Sequence, residues 1–230
     1  MEKQNLPSQH RDSDYQLFMQ LLNERVIAMF PNNPMIKPID FSQDTIDDQG
    51  IPFNIKLLKL LALKPTSTKE TFSPLITKDN KPSANPFEPP FENGAYIDEL
   101  TDTHRLIFNK FSVCERHVIV ITKEFQKQID PLDIDDFKAS CIAMVSLNAF
   151  MFFNSGFNSG ASIMHKHMQV IPYNSFDPSF DAKTKFVPVE QVAVDYIKSH
   201  KVASRMFTLP QFAKFKHIFY RIDEDFFEKT

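Results

Sequence analysis

Phe152-Phe153-Asn154-Ser155-Gly156-Phe157-Asn158-Ser159-Gly160-Ala161-Ser162-Ile163-Met164-His165-Lys166-His167-Met168-Gln169-Val170-Ile171-Pro172 is the stretch on which the reading of this chain turns. It opens apolar, breaks into a polar turn holding two of the chain's four glycines, and resumes as an extended run bearing His165, His167 and Gln169. Side chains two apart on a β-strand share a face. A strand over 164–171 therefore puts both imidazoles and the Gln169 amide on one face, and Lys166, Met168 and Val170 on the other. The Asn/Ser/Gly turn can present backbone N–H groups to an anion, and imidazole is a competent nucleophile at neutral pH, so the combination suits phosphate chemistry. A bare His-x-His also fits two surface residues or half of a metal site. Against that, glycine is scarce yet clusters just before the histidines, and Asn-Ser-Gly occurs twice, at 154–156 and 158–160. A third protein ligand at the spacing zinc would require is not apparent.

Upstream, 132–149 reads as a helix. Pro131 precedes it, Asp133 can cap it, and Asp135 and Asp136 suit its positive end. Phe137, Cys141, Met144, Val145 and Asn148 mark its expected buried stripe. It leads into a Phe-rich strand over 150–154. Before it, 106–111 and 117–122 are rich in Ile, Val and Phe and read as a hairpin. Strand–strand–helix–strand–strand is an α+β pattern with an antiparallel sheet and packed helices.

Nearer the N-terminus, Tyr15, Phe18, Met19, Leu22, Val26 and Met29 keep helical spacing over 14–30, with Ser13 as N-cap and Gln16 completing a capping box. The segment 31–50 reads as loop. The alternation Phe53-Ile55-Leu57 reads as a strand in a run that Lys64-Pro65 ends. Residues 65–94 hold six prolines and form a loop-rich insertion. A helix at 189–200 and a strand at 215–222 complete an expected single domain over 1–230.

Hydrophobic residues make up 42% of the 230, enough for a substantial core, and with 24 Phe and no Trp its aromatic part is Phe. A net charge of −3 without a long basic run gives no reason to expect nucleic acid or an anionic membrane as partner. Cys114 and Cys141 lack a CxxC spacing and read as small buried apolar residues. Residues 1–12 are polar and charged, unlike a signal peptide, and the near-apolar run 141–153 is too short to span a bilayer. A soluble cytoplasmic protein is the expectation; no motif fixes an oligomeric state.

The central stretch resembles the histidine-triad superfamily in its HxHxQ nucleotidyltransferase branch, and most of all the ATP adenylyltransferase, or diadenosine tetraphosphate phosphorylase, family. Asn-Ser-Gly, Gly-Ala-Ser and His-Lys-His-Met-Gln carry the likeness. Leu63-Lys64-Pro65, Asn85-Pro86-Phe87, and the runs 106–111 and 118–125 extend it across most of 50–222. Three departures stand out. Ser162-Ile163-Met164 replaces the Ser-Gln-Pro of many members, Ser112-Val113-Cys114-Glu115 lacks a proline often found there, and the family's further helix-and-strand section with its Tyr-Asn-Leu run does not follow residue 222.

The resemblance implies a histidine-triad-like fold with His167 as nucleophile, forming an adenylyl-histidine. His165 is implied to orient it or to contact phosphate, Gln169 to donate to a non-bridging phosphate oxygen, and Lys64, Asn109 and Lys110 to bind substrate. Asn154, Gly160, Ala161, Ser162 and Ile163 would supply donors around the transferred phosphate. The implied partners are a nucleotide substrate and inorganic phosphate. No cofactor is obligatory, although a divalent cation such as Mg can accompany the nucleotide. The implied reaction converts diadenosine tetraphosphate and phosphate to ATP and ADP, reversibly. His167 should hold its second ring N–H against an acceptor, expected to be a backbone carbonyl of the neighbouring chain segment. Alternatives are a nucleotide-binding protein impaired by the missing section, a histidine-triad hydrolase, which Gln169 disfavours, and a hexose-1-phosphate uridylyltransferase, whose usual Pro between the histidines is Lys166 here.

Overall fold

A helix packed on one face of an antiparallel sheet, with the histidine strand inside that sheet, is the framework of the site. The computed structural model describes residues 8–36, 41–48, 50–58, 85–176 and 188–222. They fall into two compact units, one built from 1–40 and 58–180 and the other from 41–57 and 181–230.

The first unit opens with helix α1 (Ser8–Met29). It starts earlier than the caps predict, so Ser13 lies within the helix. Leu22, Val26 and Met19 are buried along one side, whereas Tyr15 is half exposed. The five-stranded sheet comprises β3 (Tyr96–Glu99), β4 (His104–Phe108), β5 (Val118–Thr122), β6 (Ala149–Phe152) and β7 (His167–Pro172), in the order β3-β4-β5-β7-β6. Every pairing is antiparallel. Strand β4 meets β5 with His104 opposite Thr122 and Phe108 opposite Val118, so the expected hairpin forms, with Asn109 and Lys110 just beyond β4. The alternation of β4, β5 and β7 sorts their side chains onto two faces. Leu106, Phe108, Val118, Val120, Met168 and Val170 join the main core with Leu22 and Val26 of α1. Ile107, Ile119 and Ile121 pack on the opposite face with Phe87.

Helix α2 (Ile134–Leu147) closes the main core. Asp133 caps it as expected, accepting from the N–H groups of Asp135 at 2.9 Å and Asp136 at 3.0 Å. Asp136 Oδ2 accepts the Asp133 N–H in return at 2.8 Å, and Asn148 ends the helix in the left-handed region at φ 47°. The buried stripe is not the expected one. Phe137 and Val145 are exposed, and Asp136, Ala139, Ser140, Ala143 and Leu147 face inward. Small residues on that face bring the helix backbone close to the sheet, where Phe or Val would hold it off. A short helix α3 (Tyr173–Phe176) follows β7.

The second unit holds the two-stranded sheet of β1 (Phe41–Asp48) and β2 (Ile51–Leu58), helix α4 (Pro188–His200), and the short pair β8 (Met206–Phe207) and β9 (Phe219–Tyr220). Strand β1 corrects the loop expected at 31–50. Its acidic sequence has low strand propensity, and pairing with β2 overrides it. The turn between them uses Gly50 at φ 79°, a region side chains avoid. The strand expected at 215–222 shortens to β9, and its surroundings are aromatic: Phe219 stacks on Phe207 at 5.5 Å. Among the described residues no helix is long and apolar enough to cross a membrane.

Candidate active site

Strand β7 begins at His167, three residues later than the sequence pattern sets it. Before it, His165 makes an isolated antiparallel bridge with Lys127. The expected alternation holds through both segments. His167 and Gln169 line a cleft of about 520 Å³ on the face bearing Ile107 and Ile119, while Met168 and Val170 enter the main core.

His167 is nearly buried, at 6% exposure. Its Nδ1 lies 2.7 Å from the carbonyl oxygen of His165. A carbonyl only accepts, so Nδ1 carries the proton and the lone pair sits on Nε2. The acceptor is thus a backbone carbonyl, as expected, but it belongs to the residue two positions earlier in the chain, just before β7, rather than to a neighbouring segment. The Phe87 ring packs edge-on against the imidazole at 5.0 Å.

His165 stands behind it, 1% exposed. Its Nε2 lies 2.9 Å from the Thr122 carbonyl and 2.9 Å from Thr122 Oγ1, and its Nδ1 2.8 Å from Asn85 Nδ2. The carbonyl fixes the proton on Nε2, and Nδ1 accepts from the Asn85 amide. Burial, foremost, pushes the His165 pKa below its usual 6.5 and keeps the ring neutral. His165 therefore orients this region and ties Asn85-Pro86-Phe87 to the histidine strand; it is not part of the cleft wall. Asn85 is a member of a quoted motif whose role the sequence did not reveal.

The loop before the histidines folds as a 3-10 turn, Phe157–Ser159, between Gly156 at φ 80° and Gly160 at φ 91°. Both glycines sit where a side chain would be strained. Gly160, Ala161, Ser162 and Ile163 all line the cleft. The N–H of Gly160 bonds Phe157 O at 2.9 Å and that of Ala161 bonds Gly156 O at 3.2 Å, so these two hold the turn. Among the described residues, the Ser162 and Ile163 N–H groups make no such turn bond. Asn154 is not in the cleft wall; its carbonyl accepts from Gln128 Nε2 at 2.8 Å.

Asn109 and Lys110 line the cleft as well. Asn109 Oδ1 accepts the Phe111 N–H at 2.9 Å, and its Nδ2 faces His117. Lys110 Nζ is held by both carboxylate oxygens of Glu92, at 2.7 and 2.9 Å, and Glu92 lines the cleft as well. That carboxylate, absent from the sequence reading, sits on the cation expected to meet phosphate. Pro86, Phe87, Pro90 and Phe91 from the tail of the 65–94 insertion form the apolar wall. Lys64 lies outside the described residues.

Behind the strand the sequence hid a buried ionic cluster. Lys166, 1% exposed, donates to Asp136 Oδ2 at 2.7 Å and Gln126 Oε1 at 2.9 Å. His104 Nε2 lies 3.0 Å from Asp136 Oδ1. Among the described residues no group of three or more His, Cys, Asp or Glu is placed to hold a metal ion.

Fold and site together define an antiparallel α+β protein whose cleft is lined by a tautomerically fixed histidine, a glutamine two residues on and a glycine-bounded loop. A family model described as the Ap4A phosphorylase N-terminal domain matches residues 12–195, and the chain belongs to that family. Two Saccharomyces cerevisiae proteins are similar. Diadenosine 5',5'''-P1,P4-tetraphosphate phosphorylase 2 is 28% identical over 170 residues, covering 65% of this chain and 49% of that protein. Protein APA1 is 27% identical over 203 residues, covering 75% and 63%. The chain thus spans between about half and three fifths of the relatives it matches. The structure of yeast Ap4A phosphorylase Apa2 in complex with Ap4A superposes with a TM-score of 0.58 at 21% identity, over 83% of this chain and 58% of that one. The same enzyme in complex with AMP gives 0.55 over 74% and 52%. These likenesses show a shared fold.

Proposed function

We propose that the chain is a nucleotidyltransferase acting on diadenosine tetraphosphate, phosphorolysing it to ATP and ADP through an adenylyl group carried on His167. The observation that carries this reading is the 2.7 Å bond from His167 Nδ1–H to the His165 carbonyl, which leaves the lone pair on Nε2 of a residue in the cleft wall.

The first step forms a bond from Nε2 to an α-phosphorus and breaks that phosphorus's bond to the bridging oxygen, so ATP leaves. The positive charge gained by the imidazole is stabilised by the His165 carbonyl on Nδ1–H. In the second step an oxygen of inorganic phosphate attacks the same phosphorus, the P–N bond breaks, ADP departs and His167 returns neutral. The N–H groups of Ser162 and Ile163 and the Gln169 amide are the donors assigned to the non-bridging oxygens. Lys110 serves phosphate by exchanging Glu92 for a phosphate oxygen. Phe87 and Phe91 give the nucleoside an apolar wall. A divalent cation enters, if at all, with the nucleotide.

The test is incubation with diadenosine tetraphosphate with and without phosphate. ATP and ADP that depend on phosphate support the reading. AMP and ATP irrespective of phosphate would make the chain a hydrolase, and binding without products would make it a nucleotide-binding protein.

A further inference from the structure

The antiparallel register of β6 with β7 pairs Phe152 with Gln169, so the next partner of His167 would be Asn154. Strand β6 stops at Phe152, and the chain turns away into the glycine-bounded loop. A side chain fills that place. Gln128 Oε1 accepts the His167 N–H at 2.8 Å, and Gln128 Nε2 donates to the His167 carbonyl at 3.1 Å and the Asn154 carbonyl at 2.8 Å. One primary amide thereby makes the bonds a strand residue would make, and also holds Asn154 at the entry to the loop. Gln128 is 1% exposed. Its own N–H bonds Met164 O at 2.7 Å, and the neighbouring Gln126 carbonyl takes the Lys166 N–H at 2.8 Å, so the amide is mounted on the segment leading to the histidines.

We infer that Gln128 is a positioning residue for His167: its amide sets the distance between the nucleophilic ring and the phosphate-binding loop, by bonding both main chains at once. Only a group with a donor and an acceptor on one carbon fits these partners, because His167 N–H needs an acceptor while two carbonyls need a donor. This rests on the function proposed above.

Two variants test it, with turnover read below the unfolding temperature of each. Gln128→Met keeps the shape and loses every bond; turnover of diadenosine tetraphosphate should fall roughly 10- to 100-fold, with AMP affinity within about threefold of wild type, as misplacement of a reacting group costs about that much. Gln128→Glu keeps an acceptor, but its ionised form confronts two carbonyls. The protonated acid restores the acceptor and one of the amide's two donors, so activity relative to wild type should recover in part as pH falls. Leu147→Ala, at the C-terminal end of α2 in the main core, is the control for lost stability alone. Turnover of folded Gln128→Met within threefold of wild type would overturn the inference. So would a loss that Leu147→Ala reproduces at matched stability, or a flat Gln128→Glu-to-wild-type ratio across pH. If wild type turns over no diadenosine tetraphosphate, the functional proposal fails by itself. Positioning is then read from imidazole nitrogen NMR: wild type should show the Nδ1–H tautomer of His167 and Gln128→Met a tautomer mixture, and identical spectra would contradict it.

Discussion

Three side chains on one strand face do different work, and their environments account for it. His167 meets the cleft with Nδ1 bonded to a carbonyl; His165 lies behind it with both nitrogens engaged; Gln169 lines the cleft without a titrating group. Replacing Gln169 with His puts an imidazole where only an amide donates. An imidazole can also move a proton, so the product ratio from diadenosine tetraphosphate at fixed phosphate should shift from ADP towards AMP. An unchanged ratio in an active Gln169→His variant would assign acceptor choice to the loop and Lys110. Glu92→Gln is expected to lower the KM for phosphate, by up to about fivefold at low ionic strength, since an exposed pair is worth little and is screened by salt. A phosphate KM that rises instead would make Glu92 a support for Lys110 rather than its competitor. His165 also predicts a pH effect. Its folded pKa lies below 6.5, so the unfolded chain binds its proton first as pH falls. The stability it contributes is complete above about pH 6.5 and declines below that, levelling off once pH is under the folded pKa. Denaturant unfolding between pH 7 and 5 checks this, and a His165→Asn variant should show a shallower decline.

Element by element, the sequence was clearest where the pattern was local. The β4–β5 hairpin, the Asp133 cap and the face shared by His167 and Gln169 follow from period and capping chemistry alone. What it hid depends on distant partners. Asp136 reads as a dipole-complementing acid at a helix start, yet it is fully buried because Lys166, thirty residues on, points into the core to meet it. The inward face of α2 is hidden for the same reason: Ala139 and Ala143 are chosen by closeness to the sheet, which hydrophobicity does not report. Gln128 carries no motif, and its task exists only because β6 ends two residue pairs short of His167. The Lys166–Asp136 pair gives a prediction at this scale. Lys166→Met should destabilise the fold by about 3–5 kcal/mol, because it leaves a carboxylate buried without its cation. Adding Asp136→Leu should recover much of the loss, although it also removes the Asp136 half of the capping box. Thermal or denaturant unfolding of the single and double variants decides it, and additive losses would contradict the pairing.

Over the whole molecule, the first unit contains all the described candidate residues, and the family match over 12–195 takes in most of it together with part of the second. On the proposed mechanism every turnover passes through His167. His167→Ala should leave the fold unchanged and lower adenylyl transfer by several orders of magnitude, since nothing else in the row can form the bond. The direct test is to trap the intermediate. The protein is mixed with diadenosine tetraphosphate labelled in adenosine, without phosphate, and quenched in base, where a phosphorus–nitrogen bond survives. An adenylyl group should be found on the peptide holding His167, and phosphate added before the quench should release it as ADP. Phosphate-dependent ATP and ADP with no adduct, or with the adduct on another residue, would contradict it.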